Sequence, residues 1–147
     1  VGYFGPLEEL SIEDWNCQIN VNLRASFLLS QAFVPSMKMK KKGVIVFINS
    51  IAGRQPFSES VGYAASKFGL RGLANSLREE LRRYNIKIIS IFPGAIDTSF
   101  WDKIDSNFSR DDMLNAKDLA KFILHSINAP GNLTVEEMVI RRVEGDF

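Results

Sequence analysis

A tyrosine and a lysine four residues apart, Tyr63 and Lys67, are the side chains of this sequence best suited to acid–base chemistry. On a helix they share one face, about 5–6 Å apart at Cβ. A phenol with a pKa of about 10 exchanges protons poorly at neutral pH, but an adjacent ammonium lowers that pKa. Ser50, upstream, could then hold a substrate oxygen while Tyr63 exchanges its proton. This set suits carbonyl–alcohol interconversion better than acyl transfer, because no base is placed to activate Ser50.

Two apolar segments, 43–49 and 87–92, predict the strands that position these groups. Both are continuous rather than alternating, which is typical of parallel strands covered on both faces. Leucines at helical spacing predict a helix over 61–84 between them. Strand, helix and strand in this order form a βαβ unit, in which ligands bind at the carboxyl ends of the strands. Ser50 follows the first strand and residues 93–98 follow the second, so both should meet at one edge of the sheet.

The flanking segments continue the α/β pattern. Ser11 and Asp14 form a capping box for a helix that Pro35 should loosen near its end and that Gly43 should stop. The stretch 97–115 has no clean period and is predicted to be a long loop or a set of short helices. A helix and a last strand complete the prediction: 117–127 and 135–143.

Composition restricts the classes of function open to this chain of 147 residues. Its 18 basic and 17 acidic side chains nearly balance, which gives no reason to expect nucleic acid or an anionic membrane as a partner. One cysteine and one histidine exclude an intrachain disulfide, a Cys-rich zinc site and a two-His metal motif. No apolar run approaches the roughly 20 residues that span a bilayer, and we expect a cytoplasmic protein.

The chain resembles the short-chain dehydrogenase/reductase family from Val1 to near its C-terminus. The segment 63–67 matches the family's Tyr-x-x-x-Lys, and Ser50 lies at the family's usual distance upstream of that tyrosine. Asn22 matches the helical asparagine of the family better than Asn20 does. The resemblance is completed by a match to the family's Pro-Gly-x-x-x-Thr at 93–98.

This resemblance implies a fold and a role for each matched residue. The fold is the C-terminal portion of a Rossmann-like, doubly wound parallel sheet, with 1–147 as the catalytic part of one domain. Tyr63 would be the general acid/base and would also contact the cofactor, and Lys67 would lower the tyrosine pKa and bind the nicotinamide ribose. Ser50 would orient the substrate carbonyl, and Asn22 would hold a proton-relay water. Four further residues would contact the nicotinamide: Pro93, Gly94, Ile96 and Thr98.

The implied function is an oxidoreductase that transfers a hydride between a nicotinamide cofactor and a small carbonyl or alcohol substrate. The segment 128–142 is similar to NADP-dependent dehydrogenases of serine and short 3-hydroxy acids, so NADP(H) is favoured over NAD(H). Family members usually pair through the helices that match 12–40 and 61–84, which predicts a homodimer or homotetramer. No metal, nucleic acid or membrane is expected.

The family's Gly-x-x-x-Gly-x-Gly phosphate cradle does not occur among the ten glycines of this sequence. We therefore expect that the N-terminal nucleotide-binding half is absent and that the chain is inactive by itself. One alternative is a non-catalytic dimerising fragment or pseudoenzyme. Another is a sugar-nucleotide epimerase, which shares Tyr-x-x-x-Lys but needs a substrate domain for which the C-terminal region leaves little room.

Several side chains also have a plain structural interpretation. Thr98 could cap a following helix, and Asn22 could serve only its own helix. Arg54 suits a surface or packing role better than contact with a substrate carboxylate, and His125 suits a structural role. Two aromatic residues could line a pocket or anchor the loop: Trp101 and Phe108. The leucines between 70 and 81 fit core packing as well as a dimer interface.

Overall fold

The computed structural model describes residues 1–104, 109–130 and 132–145, and its core is a parallel sheet in the order β1-β2-β3. The strands are β1 (Gly43–Ile48), β2 (Ile86–Pro93) and β3 (Glu137–Ile140). Gly43 pairs with Ile86, and Ser90 pairs with Glu137. The sheet confirms the predicted parallel βαβ unit.

Within the described residues, four α-helices accompany the sheet: α1 (Ile12–Gln18), α2 (Ala25–Lys40), α3 (Val61–Leu81) and α4 (Ala116–Ile127). Side chains of α2 and α3 pack with β1 and β2 in one core cluster. Leu119 of α4 packs with Ile89 and Ile91 of β2 in a second cluster. Because successive residues of a strand point to opposite faces, the two clusters cover both faces of β2. This explains the continuous apolar sequence of that strand and confirms the doubly wound class.

The leucine stripe of α3 lies against the first cluster. Leu70 and Leu81 are buried, while Leu73 and Leu77 are partly buried and pack against it. In this structure the stripe therefore serves core packing, which was one of its two interpretations.

The long N-terminal helix differs from the prediction of one continuous helix. A π-helical segment, Ile19–Arg24, separates α1 from α2, and Pro35 lies inside α2 without ending it. Close contacts hold the segment to α3: a Cβ on Gly69 would lie 2.7 Å from Leu23 Cδ2. The capping of α1 was predicted correctly, since Ser11 Oγ accepts from Asp14 N at 3.0 Å.

The prediction that Gly43 stops this helix is wrong. Lys41, with φ of 47°, is the left-handed residue after α2, and Gly43 begins β1. A Cβ on Gly43 would lie 2.6 Å from Met37 Sδ, so close packing accounts for that glycine. The last strand is shorter than predicted, because its ladder with β2 reaches only from Glu137 to Ile140.

Short 3₁₀ turns fill the connections: Leu7–Glu9, Ile51–Gly53, Arg82–Tyr84, Ser99–Lys103 and Arg110–Asp112. The last two lie in the stretch that was predicted as a loop or short helices, and an isolated bridge between Ile96 and Leu114 closes part of it. Within the described parts of the chain, no helix is both long and apolar enough to cross a membrane.

Candidate active site

Ser50 follows the carboxyl end of β1 in a turn that is tied directly to α3. Its hydroxyl accepts from Ala52 N at 3.1 Å, which fixes the side chain at the start of the 3₁₀ turn. The neighbouring Asn49 is buried and donates from Nδ2 to the Lys67 carbonyl at 3.2 Å. Its Oδ1 accepts from Ser50 N at 2.9 Å. Asn49 thus sets the Ser50 turn against α3. Sequence reasoning gave it no role, although a polar residue ending an apolar strand was a usable signal.

Tyr63 and Lys67 lie in the first two turns of α3, on one side of the helix. The ammonium of Lys67 is 5.5 Å from the centre of the Tyr63 ring, and its Nζ donates to the Ile48 carbonyl at 3.3 Å. The chain therefore brings Tyr63, Lys67 and Ser50 together at the end of β1.

Burial governs the protonation of both groups. It raises the pKa of Tyr63 above its ordinary value, and a hydrogen bond with Ser50 acts in the opposite direction. It also lowers the pKa of Lys67 to about 8. The predicted lowering of the tyrosine pKa by the lysine charge is therefore not the dominant effect here, because burial penalises the charged form of each group.

Asn22 lies in the π-helical segment, where its side chain contacts Val1 and α3 and does not itself line the cavity. Its Nδ2 donates to Ser66 Oγ at 2.9 Å, and that hydroxyl donates to the Tyr63 carbonyl at 2.8 Å. Asn22 is buried, whereas Asn20 is exposed. The structure thus connects Asn22 to the turn of α3 that carries Tyr63, through one intervening hydroxyl.

The segment after β2 brings the remaining predicted residues to the same edge of the sheet. Gly94 N donates to the Ile140 carbonyl at 2.8 Å, which fixes the start of the segment on β3. Thr98 Oγ1 accepts from Phe100 N at 3.4 Å and so caps the following 3₁₀ turn, as its structural interpretation predicted. Trp101 Nε1 donates to the Ile96 carbonyl at 3.0 Å.

A cavity of about 820 Å³ opens at this edge. All the predicted site residues except Asn22 line it: Ser50, Tyr63, Lys67, Pro93, Gly94, Ile96 and Thr98. Trp101 both lines the cavity and anchors its own loop, and Phe108 lies outside the described residues. Sequence reasoning missed the aromatic lining residues Phe4, Phe57 and Phe100, because nothing in their spacing shows that they meet in the fold.

The buried ammonium fits the sugar of a nicotinamide cofactor. Lys67 Nζ carries three N–H donors, and the described contacts give it one protein acceptor, the Ile48 carbonyl. The remaining donors can serve ribose hydroxyls in the cavity that Lys67 lines. The chain thus fits the nicotinamide end of such a cofactor, while its glycines do not form the family's pyrophosphate motif.

Two other side chains lie away from the reacting groups. Arg54 pairs with Glu137 Oε2 at 2.5 Å and lies over the Phe92 ring, 5.3 Å from its centre. Glu137 also pairs with Arg71 of α3 at 3.1 Å, so this carboxylate joins the Ser50 turn, α3 and β3. His125 is exposed on α4. Among the described residues, no group of three or more acidic, histidine or cysteine side chains could hold a metal ion.

Comparisons with known proteins agree with this geometry. The family model described as short chain dehydrogenase matches residues 1–108. The sepiapterin reductase of Chlorobaculum tepidum is 36% identical over all 147 residues of this chain, which cover 60% of that protein. The chain thus spans about 60% of the length of this curated relative.

Solved structures of dehydrogenases also superpose on this chain. An alcohol dehydrogenase from Thermococcus sibiricus, complexed with 5-hydroxy-NADP, superposes with a TM-score of 0.86 at 27% identity, covering 97% of this chain and 60% of that one. A 4-hydroxyisoleucine dehydrogenase complexed with NADH superposes with a TM-score of 0.81 at 32% identity, covering 96% of this chain and 63% of that one.

Proposed function

The chain belongs to the short-chain dehydrogenase family, and on this basis we propose that it carries the acid–base centre of a nicotinamide-dependent oxidoreductase that interconverts carbonyls and alcohols. One observation carries the proposal. The half-buried Tyr63 phenol shares a hydrogen bond with Ser50, lies beside the Lys67 ammonium, and faces a cavity at the carboxyl edge of the sheet.

In the reducing direction, the substrate oxygen accepts hydrogen bonds from Ser50 and Tyr63, which polarise the carbonyl. A reduced nicotinamide, when bound, would supply a hydride to the carbonyl carbon and would itself be oxidised. Tyr63 donates its proton to the oxygen as negative charge develops there, which gives the alcohol. The Lys67 ammonium then stabilises the resulting phenolate. In the oxidising direction the same phenolate accepts the alcohol proton.

Lys67 and Asn22 have supporting roles in this proposal. The remaining N–H donors of Lys67 would hold the ribose hydroxyls, and four cavity residues would contact the nicotinamide: Pro93, Gly94, Ile96 and Thr98. Asn22 holds a relay water that returns a proton to Tyr63. Its contact with Ser66 supports a position close to the helical turn that carries the tyrosine.

The choice of cofactor and the state of assembly belong to the proposal as well. One similar structure is complexed with 5-hydroxy-NADP and another with NADH, which supports a nicotinamide cofactor in general. We propose NADP(H) as the preferred form, a cytoplasmic location, and association of copies through 12–40 and 61–84. Titration with NADPH and NADH separates the two cofactors.

The test uses the protein expressed from its complete gene, with Tyr63→Phe as the variant. Removing the exchangeable proton should lower turnover of a carbonyl substrate by about 10²-fold to 10⁴-fold. The dissociation constant for the nicotinamide should stay within about threefold of the wild-type value, because the variant keeps the other contacts that bind the cofactor. Stopped-flow or steady-state absorbance of the reduced nicotinamide measures both.

Tyr84→Phe is the matched control, because Tyr84 packs against the core cluster and does not line the cavity. It should keep wild-type turnover. Wild-type turnover in Tyr63→Phe would refute the assigned role. A wild-type protein that binds neither NADPH nor NADH would favour the non-catalytic alternative.

A further inference from the structure

Four aromatic side chains form a wall of the cavity next to Tyr63, and the proposed mechanism uses none of them. This aromatic wall consists of Phe4, Phe57, Phe100 and Trp101. Phe4 lies edge-on to Tyr63 at 5.3 Å between ring centres, and Phe100 lies 5.9 Å from Tyr63 on a tilted plane. The wall therefore begins directly at the acid–base group.

The wall continues outward from Tyr63 as a connected set of rings. Phe4 stacks with Phe57 at 5.9 Å, with 26° between the planes. Phe100 meets Trp101 edge-to-face at 5.4 Å. These separations fall within the range of about 4.5–7 Å in which aromatic pairs attract one another beyond simple burial of apolar area.

The wall is built from three separate parts of the chain, and local contacts hold it in place. Phe4 comes from the N-terminal loop, Phe57 from the loop before α3, and the other two from the 3₁₀ turn after β2. The Trp101 indole is held by its hydrogen bond to the Ile96 carbonyl. A Cβ on Gly2 would lie 2.8 Å from Phe100 Cζ, so the chain packs closely behind that ring.

One ring of the wall keeps a large part of its surface free. Phe57 is 49% exposed although it lines the cavity and stacks on Phe4. An exposed flat ring that already stacks on one side offers a further surface to a ligand on the cavity side. The polar groups that would hold a substrate oxygen, Ser50 and Tyr63, line the same cavity, and Tyr63 is in contact with the wall through Phe4.

We propose that the site takes aryl carbonyl compounds, in which a flat aromatic ring is attached to the reacting carbonyl carbon. The carbonyl oxygen meets Ser50 and Tyr63 while the ring lies against Phe57 and Phe4. This inference rests on the proposed oxidoreductase function. The aryl substrate class differs from the short 3-hydroxy acids, which are the substrates of the dehydrogenases that segment 128–142 resembles. Those acids carry no ring that could pack against the wall.

The first experiment measures binding without turnover, in the protein expressed from its complete gene. Benzamide and cyclohexanecarboxamide have the same number of heavy atoms, but only benzamide has a flat π face. We expect benzamide to inhibit carbonyl reduction competitively with an inhibition constant about threefold to tenfold lower. Equal inhibition constants would overturn the inference.

The second experiment changes the wall. Phe57→Leu keeps apolar bulk but removes the ring, so the ratio of kcat/KM for acetophenone to that for cyclohexyl methyl ketone should fall about threefold to tenfold. Phe122→Leu is the matched control, because Phe122 is 60% exposed on α4 and does not line the cavity. It should leave the ratio unchanged. Phe100→Leu provides a second test of the wall if circular dichroism shows that Phe57→Leu is misfolded.

Failure of this inference can be told from failure of the proposed function. A higher kcat/KM for 3-hydroxybutyrate than for 1-phenylethanol, lost in Tyr63→Phe, would overturn the aryl class and keep the oxidoreductase. An unchanged ketone ratio in both wall variants would have the same meaning. Carbonyl reduction that does not depend on Tyr63 would overturn both.

Discussion

At the scale of single residues, the site consists of two titratable groups that burial pushes toward their neutral forms. The pKa of Tyr63 is raised and that of Lys67 is lowered, in both cases chiefly because burial penalises the charged form. The Tyr63 phenolate and the Lys67 ammonium carry opposite charges, so each charged form stabilises the other. Proton exchange at Tyr63 is therefore expected to depend strongly on the charge of Lys67.

Lys67 should make the stability of the fold depend on pH between about pH 8 and pH 10. Its pKa is lowered to about 8 in the folded chain, while a lysine in an unfolded chain titrates at about 10.4. Between these values the unfolded state binds more protons than the folded state, so the free energy of unfolding rises from about pH 8 toward pH 10. The added stability is lost again as the pH falls back to about 8. Lys67→Met should remove a rise on the order of 3 kcal/mol across the full window.

Urea unfolding at pH 8, 9 and 10 measures this effect, compared between the variant and the wild type. Lys42→Met, at an exposed position after α2, should keep the wild-type rise. Measurement stops near pH 10, because the raised pKa of Tyr63 reduces stability at higher pH. An identical pH dependence in Lys67→Met and wild type would contradict the buried ammonium.

At the scale of elements, the Ser50 turn is positioned by its contact with α3. Asn49 joins the turn to the Lys67 carbonyl, and Gly53 lies where the two backbones approach. Glu137 reinforces this from β3 through ion pairs with Arg54 and Arg71. The turn, the helix and the strand edge therefore hold the hydroxyl, the phenol and the ammonium in one arrangement.

Two glycine substitutions should separate close approach from general helix stability. In Gly53→Ala, a Cβ would lie 2.6 Å from Asn49 Oδ1 and 2.8 Å from the Lys67 backbone oxygen. The crowding should cost about 1–3 kcal/mol of stability and lower turnover, because the Ser50 turn must move away from α3. Thermal unfolding and kcat measure the two effects.

Gly72→Ala provides the opposite case within α3. A Cβ on Gly72 meets no atom within 4 Å, so alanine should stabilise the helix by about 0.5–1 kcal/mol and leave turnover unchanged. A Gly53→Ala protein as stable and active as wild type would mean that the turn does not depend on this contact.

At the scale of the whole molecule, α2 presents an apolar face that the described residues leave exposed. Leu29 is 60% exposed and Phe33 is 56% exposed, and their spacing of four places them on the same side of the helix. Faces of this kind mark protein–protein contacts when they are contiguous. They support the proposed association of copies through 12–40.

Charge on this face should break that association. Leu29→Glu combined with Phe33→Glu should convert a dimer or tetramer into a monomer, because a carboxylate in an apolar interface has no partner. Size-exclusion chromatography with light scattering gives the mass. Leu124→Glu on α4, at a residue with the same 60% exposure, should leave it unchanged. A wild-type protein that is already monomeric would disprove the pairing.

Much of this fold could be predicted from the sequence, for identifiable reasons. The strands β1 and β2 were predictable because burial on both faces requires continuous apolar residues, as Ile88, Ile89 and Ile91 show. The grouping of Ser50, Tyr63 and Lys67 followed from the βαβ order together with the family spacing. Each of these depends on local pattern or on a connection rule.

Other features could not be predicted, because they depend on contacts between distant parts of the chain. The aromatic wall brings Phe4 beside Phe57 and Phe100, and no spacing rule connects these positions. The burial that shifts the pKa values of Tyr63 and Lys67 is likewise set by tertiary packing. The end of α2 at Lys41 was missed because its left-handed conformation occurs in a residue other than glycine.

The π-helical segment also decides how this long helix responds to the loss of a residue. Ala25 N donates to the Asn20 carbonyl five residues back, so this turn holds one residue more than an α-helical turn. Deleting one residue here would restore the α-helical hydrogen-bonding pattern and keep α2 close to its present orientation, because the wide turn absorbs the extra residue within itself. The same deletion inside α2 has no wide turn to remove, so every residue after it would be rotated by about 100° around the helix axis. The π-helical segment is therefore the part of this helix in which a single-codon deletion disturbs the apolar face of α2 least.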